Sequence, residues 1–209
     1  MSQLLGYAGQ AVGRESMEGE MTKKFLVVLC AVAILGTLVV SRVEGSARKR
    51  KGILLQSTSF EDGQSIPDKY TCKKDNISPE LNWKNPPAKT QSFALIVEDP
   101  DAPTQTWVHW VIFNIPLKKS ANLADVYELV ESFPRDEKTR EGIIQGQNDF
   151  KKIGYDGPCP PSGQHRYYFK LYALDSMLNL PAGAMKSELL KAMAKHILGW
   201  TQIMGLYGK

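Results

Sequence analysis

Residues 52–209 carry no net charge. Eight of the 26 basic residues and four of the 22 acidic ones precede Gly52, which leaves the remainder balanced. A protein that gains affinity by neutralising phosphates needs a basic footprint, and this stretch has none, so nucleic acid is excluded as a partner. Histidine and cysteine are scarce, at three each in 209 residues. No two histidines stand at His-x-x-x-His spacing and no His-x-Asp pair occurs, so nothing in the sequence builds a metal site, and no cofactor is implied. No Gly-x-Ser-x-Gly elbow surrounds Ser162, which removes the best support for a Ser162–His165 nucleophile pair. Repeats and low-complexity tracts are also missing. With 43% hydrophobic and 23% charged residues, the chain suits one globular domain with an appendage.

The appendage is the N-terminal quarter. Residues 25–40 are uncharged and follow Lys23 and Lys24. Sixteen residues at ~1.5 Å rise make about 24 Å of helix, short of the ~30 Å hydrocarbon core, as in a secretory signal or an uncleaved anchor. Residues 21–47 are read as that segment and 48–51, Arg-Lys-Arg-Lys, as a basic linker. Residues 1–20 read as an extension ahead of a more natural start at Met21. The expected location is the periplasm, free or tethered to the inner membrane through residues 25–40, the only expected membrane contact. The basic linker opposes export, which keeps a cytoplasmic location as the alternative.

From Gly52 onward, turn-forming residues punctuate the chain: Asp62-Gly63, Ser78-Pro79, Asn85-Pro86-Pro87, 99–103, Asn114-Ile115-Pro116 and 157–163. Short β-rich runs lie between them at 92–97, 107–115 and 167–174, predicting a mainly β fold, a sandwich. Met185, Leu189, Ala192, Met193, His196 and Trp200 recur at three- and four-residue spacing, predicting a C-terminal helix packed on the sheet. His196 on that stripe is expected to pack or to face the helix C-terminus, and Trp83, Trp107 and Trp110 to lie in the core.

Side chains alternate along a strand. Alternation puts His109 on one face with Trp107, Val111 and Phe113, and His165 with Tyr167, Phe169 and Leu171. Arg166 then points the other way, toward an ion pair. If the two strands are neighbours, both imidazoles meet at one end of the core. Asp99 and Asp101 follow the apolar run 93–97 and place carboxylates near the same end. Imidazoles donate hydrogen bonds, from both nitrogens when protonated, so such a cleft would hold an anion. Neither Ser162 nor Cys159 is accompanied by a complete catalytic arrangement, and no catalytic residue is assigned.

These segments also carry a resemblance. Asp99-Pro100-Asp101-Ala102-Pro103, Trp107-Val108-His109-Trp110 and Asn114-Ile115-Pro116 are similar to the first signature of the phosphatidylethanolamine-binding family, which includes the Raf kinase inhibitor proteins. The segment 157–167, from Gly157-Pro158-Cys159 to His165-Arg166-Tyr167, is similar to the second. Ile77-Ser78-Pro79-Glu80-Leu81-Asn82-Trp83 and Asn148-Asp149-Phe150 resemble segments of its bacterial members. The resemblance covers residues 52–209. It implies a β-sandwich with helices near the C-terminus and a small pocket for phosphate, carboxylate or a phospholipid headgroup. By motif position the pocket residues are Asp99, Asp101, His109, Pro158, His165 and Tyr167. The alternative it implies is an inhibitor of a kinase or serine protease acting through a surface away from the pocket. A short segment between Pro103 and Trp107 and the N-terminal hydrophobic stretch depart from the kinase-inhibiting members. Cys30 lies in the hydrophobic stretch, leaving Cys72 and Cys159 as an even pair flanking the signatures. A bond between them is expected in an oxidising compartment; two buried thiols are the alternative.

Overall fold

A computed structural model describes residues 52–117, 127–135, 139 and 141–209. The expectations for residues 1–20, 21–47 and 48–51 lie outside the described residues. Among the described residues, no helix is long and apolar enough to cross a membrane.

Among the described residues the fold is mainly β, built from two sheets and one α-helix. The smaller sheet has the order β1 (Leu54–Gln56), β2 (Leu81–Lys84), β5 (Tyr127–Leu129). The larger runs β6 (Ile144–Gln145), β4 (Trp107–Pro116), β3 (Ser92–Asp99), β7 (Gln164–Leu174), β8 (Ile197–Gly208), with every pairing antiparallel. All eight residues of β3 are buried. The reason is position: β3 is central in its sheet and covered on both faces, which suits the near-continuous apolar sequence Phe93-Ala94-Leu95-Ile96-Val97. One face sends Phe93, Leu95 and Val97 into the core between the sheets, with Leu81, Trp83, Leu129 and Phe169. The other sends Ala94 and Ile96 against Leu189 and Met193 of helix α1 (Lys186–Met193). Apolar burial on both faces of one strand ties the three layers together.

The expected terminal helix is shorter than its stripe. It opens with the Glu188 carboxylate accepting from the Met185 backbone N–H at 2.7 Å, and it ends by Met193. The chain then becomes β8, which pairs with β7 from Leu174↔Ile197 to Gln164↔Gly208. Ladder pairing along the whole of β7 outweighs a local 3.6-residue period carried by only His196 and Trp200. Glycine permits the close approach this strand makes: a Cβ on Gly205 would lie 2.4 Å from Ile66 Cγ1. Trp200 belongs to β8, is 58% exposed and stacks on Tyr172, while His196 pairs with Asp175, Nδ1 to Oδ1 at 2.8 Å.

Simple alternation also fails in β4, and the failure creates the site. Val97 pairs with Trp110 and Glu98 with Val108, so His109 is the extra residue of a β-bulge. The bulge changes the phase of the strand. Trp110 and Ile112 enter the core between the sheets, whereas Val111 and Phe113 face the helix layer. His109 therefore does not share a face with Val111 and Phe113; its ring meets Tyr167, a residue of the inter-sheet core. A second irregularity, between Phe93 and Leu95, leaves Asn114 at φ 57°, with its side chain donating to Leu178 O at 2.9 Å.

Candidate ligand pocket

The antiparallel order β4-β3-β7 brings the start of β4, the end of β3 and the start of β7 to one edge of the larger sheet. His109, Asp99 and His165 occupy those three positions, and a cavity of about 260 Å³ opens between them. Trp107, Phe150 and Cys159 supply further wall, and Ala102, Pro103, Thr104 and Pro161 complete it. All three central residues are buried, at 2% exposure for His109, 3% for Asp99 and 7% for His165. Trp107, expected in the core, is half-buried at the cavity with its ring edge-on to Phe150.

Each imidazole is fixed through Nδ1. His165 Nδ1 stands 2.7 Å from Asp99 Oδ2. His109 Nδ1 stands 2.6 Å from the Asp156 carbonyl oxygen, and the Asp156 N–H donates back to His109 O at 3.0 Å. Tyr167 holds the two rings in place, edge-on to His109 at 5.2 Å and stacked against His165 at 6.5 Å. It lies behind them and does not line the cavity. Burial, more than the weaker effect of the Asp99 carboxylate, pushes the Tyr167 hydroxyl well above its ordinary pKa, so it stays protonated. Burial pushes His109 below its usual value, a tendency opposed by the Asp156 carbonyl and the Asp99 charge, and the resting ring is neutral near pH 7.

Asp156 is the residue that sequence reasoning missed. Its carboxylate is 6% exposed and accepts from Asn76 Nδ2 at 3.0 Å and Asn148 Nδ2 at 2.8 Å. Lys152 Nζ lies 3.3 Å away and Arg135 3.6 Å. This network clamps the backbone carbonyl that orients His109. No spacing rule could have found it, because the working group is a main-chain oxygen and its partners lie 80 and 8 residues away in sequence. Gly157, next in the chain, is required by space: a Cβ would stand 2.1 Å from Tyr70 O. Cys72 and Cys159 are joined as a disulfide, and Cys72 N donates to Pro158 O at 3.1 Å. The segment bearing Cys159 is thereby stitched to the Tyr70–Cys72 turn.

Besides Tyr167, two more of the expected pocket residues stand outside the cavity lining, Asp101 and Pro158. Asp101 turns outward and takes Arg166 in a fork, with Nε at 2.9 Å and a second guanidinium nitrogen at 2.6 Å, and also accepts the Arg166 N–H at 2.9 Å. Arg166 hydrogen bonding holds the Asp101 carboxyl down at about 2. The ion pair expected of Arg166 is therefore made with Asp101. Both side chains are partly exposed, so Asp101→Asn is expected to cost less than about 1 kcal/mol of stability. It is also expected to leave phosphate affinity within about twofold, read by calorimetry; a tenfold loss would return Asp101 to the binding site. Among the described residues no cluster of three or more His, Cys, Asp or Glu side chains is arranged to hold a metal ion.

The fold is a two-sheet β architecture with one cavity flanked by two buried histidines where β3, β4 and β7 meet. Residues 56–208 match the family model described as phosphatidylethanolamine-binding protein, and the chain belongs to that family. Among its relatives is a UPF0098 protein of Methanothermobacter thermautotrophicus, 48% identical over 153 residues, covering 73% of this chain and 97% of that one. A UPF0098 protein of Aquifex aeolicus is 42% identical over 179 residues, covering 83% and 98%. Two solved structures share the fold. A phosphatidylethanolamine-binding protein homologue of Chlamydia trachomatis matches with TM-score 0.65 at 37% identity, covering 76% of this chain and 98% of its own. The E. coli protein YbcL, described as a member of the mammalian family, matches with TM-score 0.66 at 29% identity, covering 76% and 99%. Membership supports ligand binding or protein interaction as the general mode of action.

Proposed function

We propose that the protein binds a small anionic ligand (phosphate, a phospho-headgroup or a carboxylate) between His109 and His165, without turnover, and modulates a partner by doing so. One observation carries this reading: two buried imidazoles line one cavity, and each has Nδ1 tied to the protein, so Nε2 is the nitrogen left for a ligand. Trp107 and Phe150 make a desolvated wall on which a charge-assisted hydrogen bond gains strength. The non-enzymatic part of the proposal rests on what surrounds the imidazoles. Cys159, the candidate thiolate, is bonded to Cys72, and Ser162 is not part of the cavity wall. Calorimetry with phosphoethanolamine and inorganic phosphate tests binding, and saturable heat is expected with both. Multiple turnover of a phosphoester by wild-type protein would overturn the non-enzyme reading.

The proposed location is the periplasmic side of a bacterial inner membrane. Lys23 and Lys24 ahead of the uncharged 25–40 stretch support it, and so does a disulfide that persists only in an oxidising compartment. A C-terminal alkaline phosphatase fusion is expected to be active. An inactive fusion alongside a fluorescent cytoplasmic reporter fusion would reverse the assignment.

A further inference from the structure

We propose that the outer edge of β8 is a docking site for a short extended peptide segment of a partner protein, one that carries an apolar anchor and a basic residue. The site is separate from the histidine pocket. Gln202 pairs with Lys170, which lies along β7 from His165 by about 16 Å of strand.

β8 is an edge strand, and its outer lane is filled over only part of its length. Gly63 N–H donates to Met204 O at 2.7 Å, Ile66 N–H to Leu206 O at 2.8 Å, and Leu206 N–H to Gln64 O at 2.9 Å. The Met204 N–H donates to Asp62 Oδ1 at 2.8 Å. Outward-facing backbone groups recur every second residue of an antiparallel strand, and β8 keeps one register against β7 from Gly199 to Gly208. Trp200 and Gln202 therefore also turn their N–H and C=O away from β7, and among the described residues no backbone group pairs with them. Natural edges are commonly blunted by lysine, proline or a covering loop, whereas 199–202 reads Gly-Trp-Thr-Gln and lies bare.

A cavity of about 490 Å³ opens beside the same lane, lined from β1, the 57–62 turn and β8. Leu54, Leu55, Phe60 and Ile203 give it apolar wall, and Glu61 and Asp62, both exposed, are the charged residues of its described wall. On the opposite face of β8, Trp200 is 58% exposed. An added strand sends alternate side chains to these two faces. Main-chain hydrogen bonds to Trp200 and Gln202 hold it, an apolar side chain enters the cavity, and a lysine or arginine answers Glu61 and Asp62.

The length of the open lane selects the occupant. At ~3.3 Å per residue, 199–202 offers about 13 Å, enough for an extended segment and too little for a second sheet edge. A second copy of this chain does not fit. Pairing two β8 edges across residues 200–202, in either direction, would drive one copy's β8 into the lane that the other's residues 62–66 already fill.

A displayed library of random seven-residue peptides, selected against the wild-type protein, tests this, with fluorescence polarisation of the enriched peptides as the readout. Enriched peptides are expected to combine a basic residue with alternating apolar positions. Gln202→Pro removes one outward N–H without touching the β7 ladder, and an edge strand tolerates proline there. It is expected to weaken the peptides by about tenfold or more while phosphate binding and Tm stay as in wild type. N-methylation of the peptide, one amide at a time, is expected to weaken binding to the wild-type protein at every second amide, a result that does not depend on how the variant folds. No enrichment over the Gln202→Pro protein, equal affinity for both proteins, or indifference to N-methylation would each overturn the inference. So would a wild-type dimer that Gln202→Pro dissociates, since the edge would then belong to a second copy. Phosphate calorimetry reads the anion site separately from every one of these arms.

Discussion

Replacing His109 and His165 together by alanine is expected to abolish measurable binding of phosphate and phosphoethanolamine. Each ring contributes one hydrogen bond in which a partner is charged, worth roughly 1.5–3 kcal/mol, so either single variant is expected to weaken binding about ten- to a hundredfold. The two rings come from different strands, β4 and β7, and each is fixed by its own partner, Asp156 O and Asp99. Neither can substitute for the other. Removing His109 also opens a void beside Tyr167 and Phe150 at a cost of up to a few kcal/mol, so thermal melts must accompany the titrations. A folded double variant that binds phosphate with wild-type affinity would show that the anion is held elsewhere.

The second large effect is on stability. Cys72 and Cys159 are 87 residues apart, and closing a loop of that length removes about 4–5 kcal/mol of conformational freedom from the unfolded chain in the entropy model. Cys72→Ala with Cys159→Ala is expected to lower Tm by roughly 10–20 °C, given 2–4 °C per kcal/mol for a domain of this size. Cys159 also lines the cavity, so the same variant is expected to loosen the ligand even at temperatures where it stays folded. An unchanged Tm, or two thiols titrated in unreduced denatured protein, would contradict this.

Much of the larger sheet was readable because its strands carry strong local signals. The apolar runs 92–97, 107–115 and 167–174 became the cores of β3, β4 and β7, and alternation placed His165 with Tyr167 and Phe169 as found. What escaped was decided by long-range geometry. Strands β1, β5 and β6, each two or three residues long, are too short to leave a period. The β8 strand hid behind a helical spacing because its partner β7 lies some thirty residues earlier in the chain. The bulge at His109 reversed the phase of β4, which no alternation rule anticipates, and yet that shift is what turns the ring toward Tyr167 and His165. The two histidines and Asp99 do come together at one cavity, as alternation suggested, whereas the contact of Asp156 to His109 is made by a backbone carbonyl that no residue pattern marks. Asp101 sits two residues past Asp99 but is drawn outward by Arg166.

The account stands or falls on whether an anion sits between the two imidazoles. Imidazole resonances of the wild-type protein, labelled at histidine and titrated with inorganic phosphate at pH 6, report this directly. The account predicts that His109 and His165 shift together along one saturable curve, while His196, paired with Asp175 on the other side of β7's far end, stays still. Saturable binding of phosphate by calorimetry with both pocket histidines unmoved would contradict it.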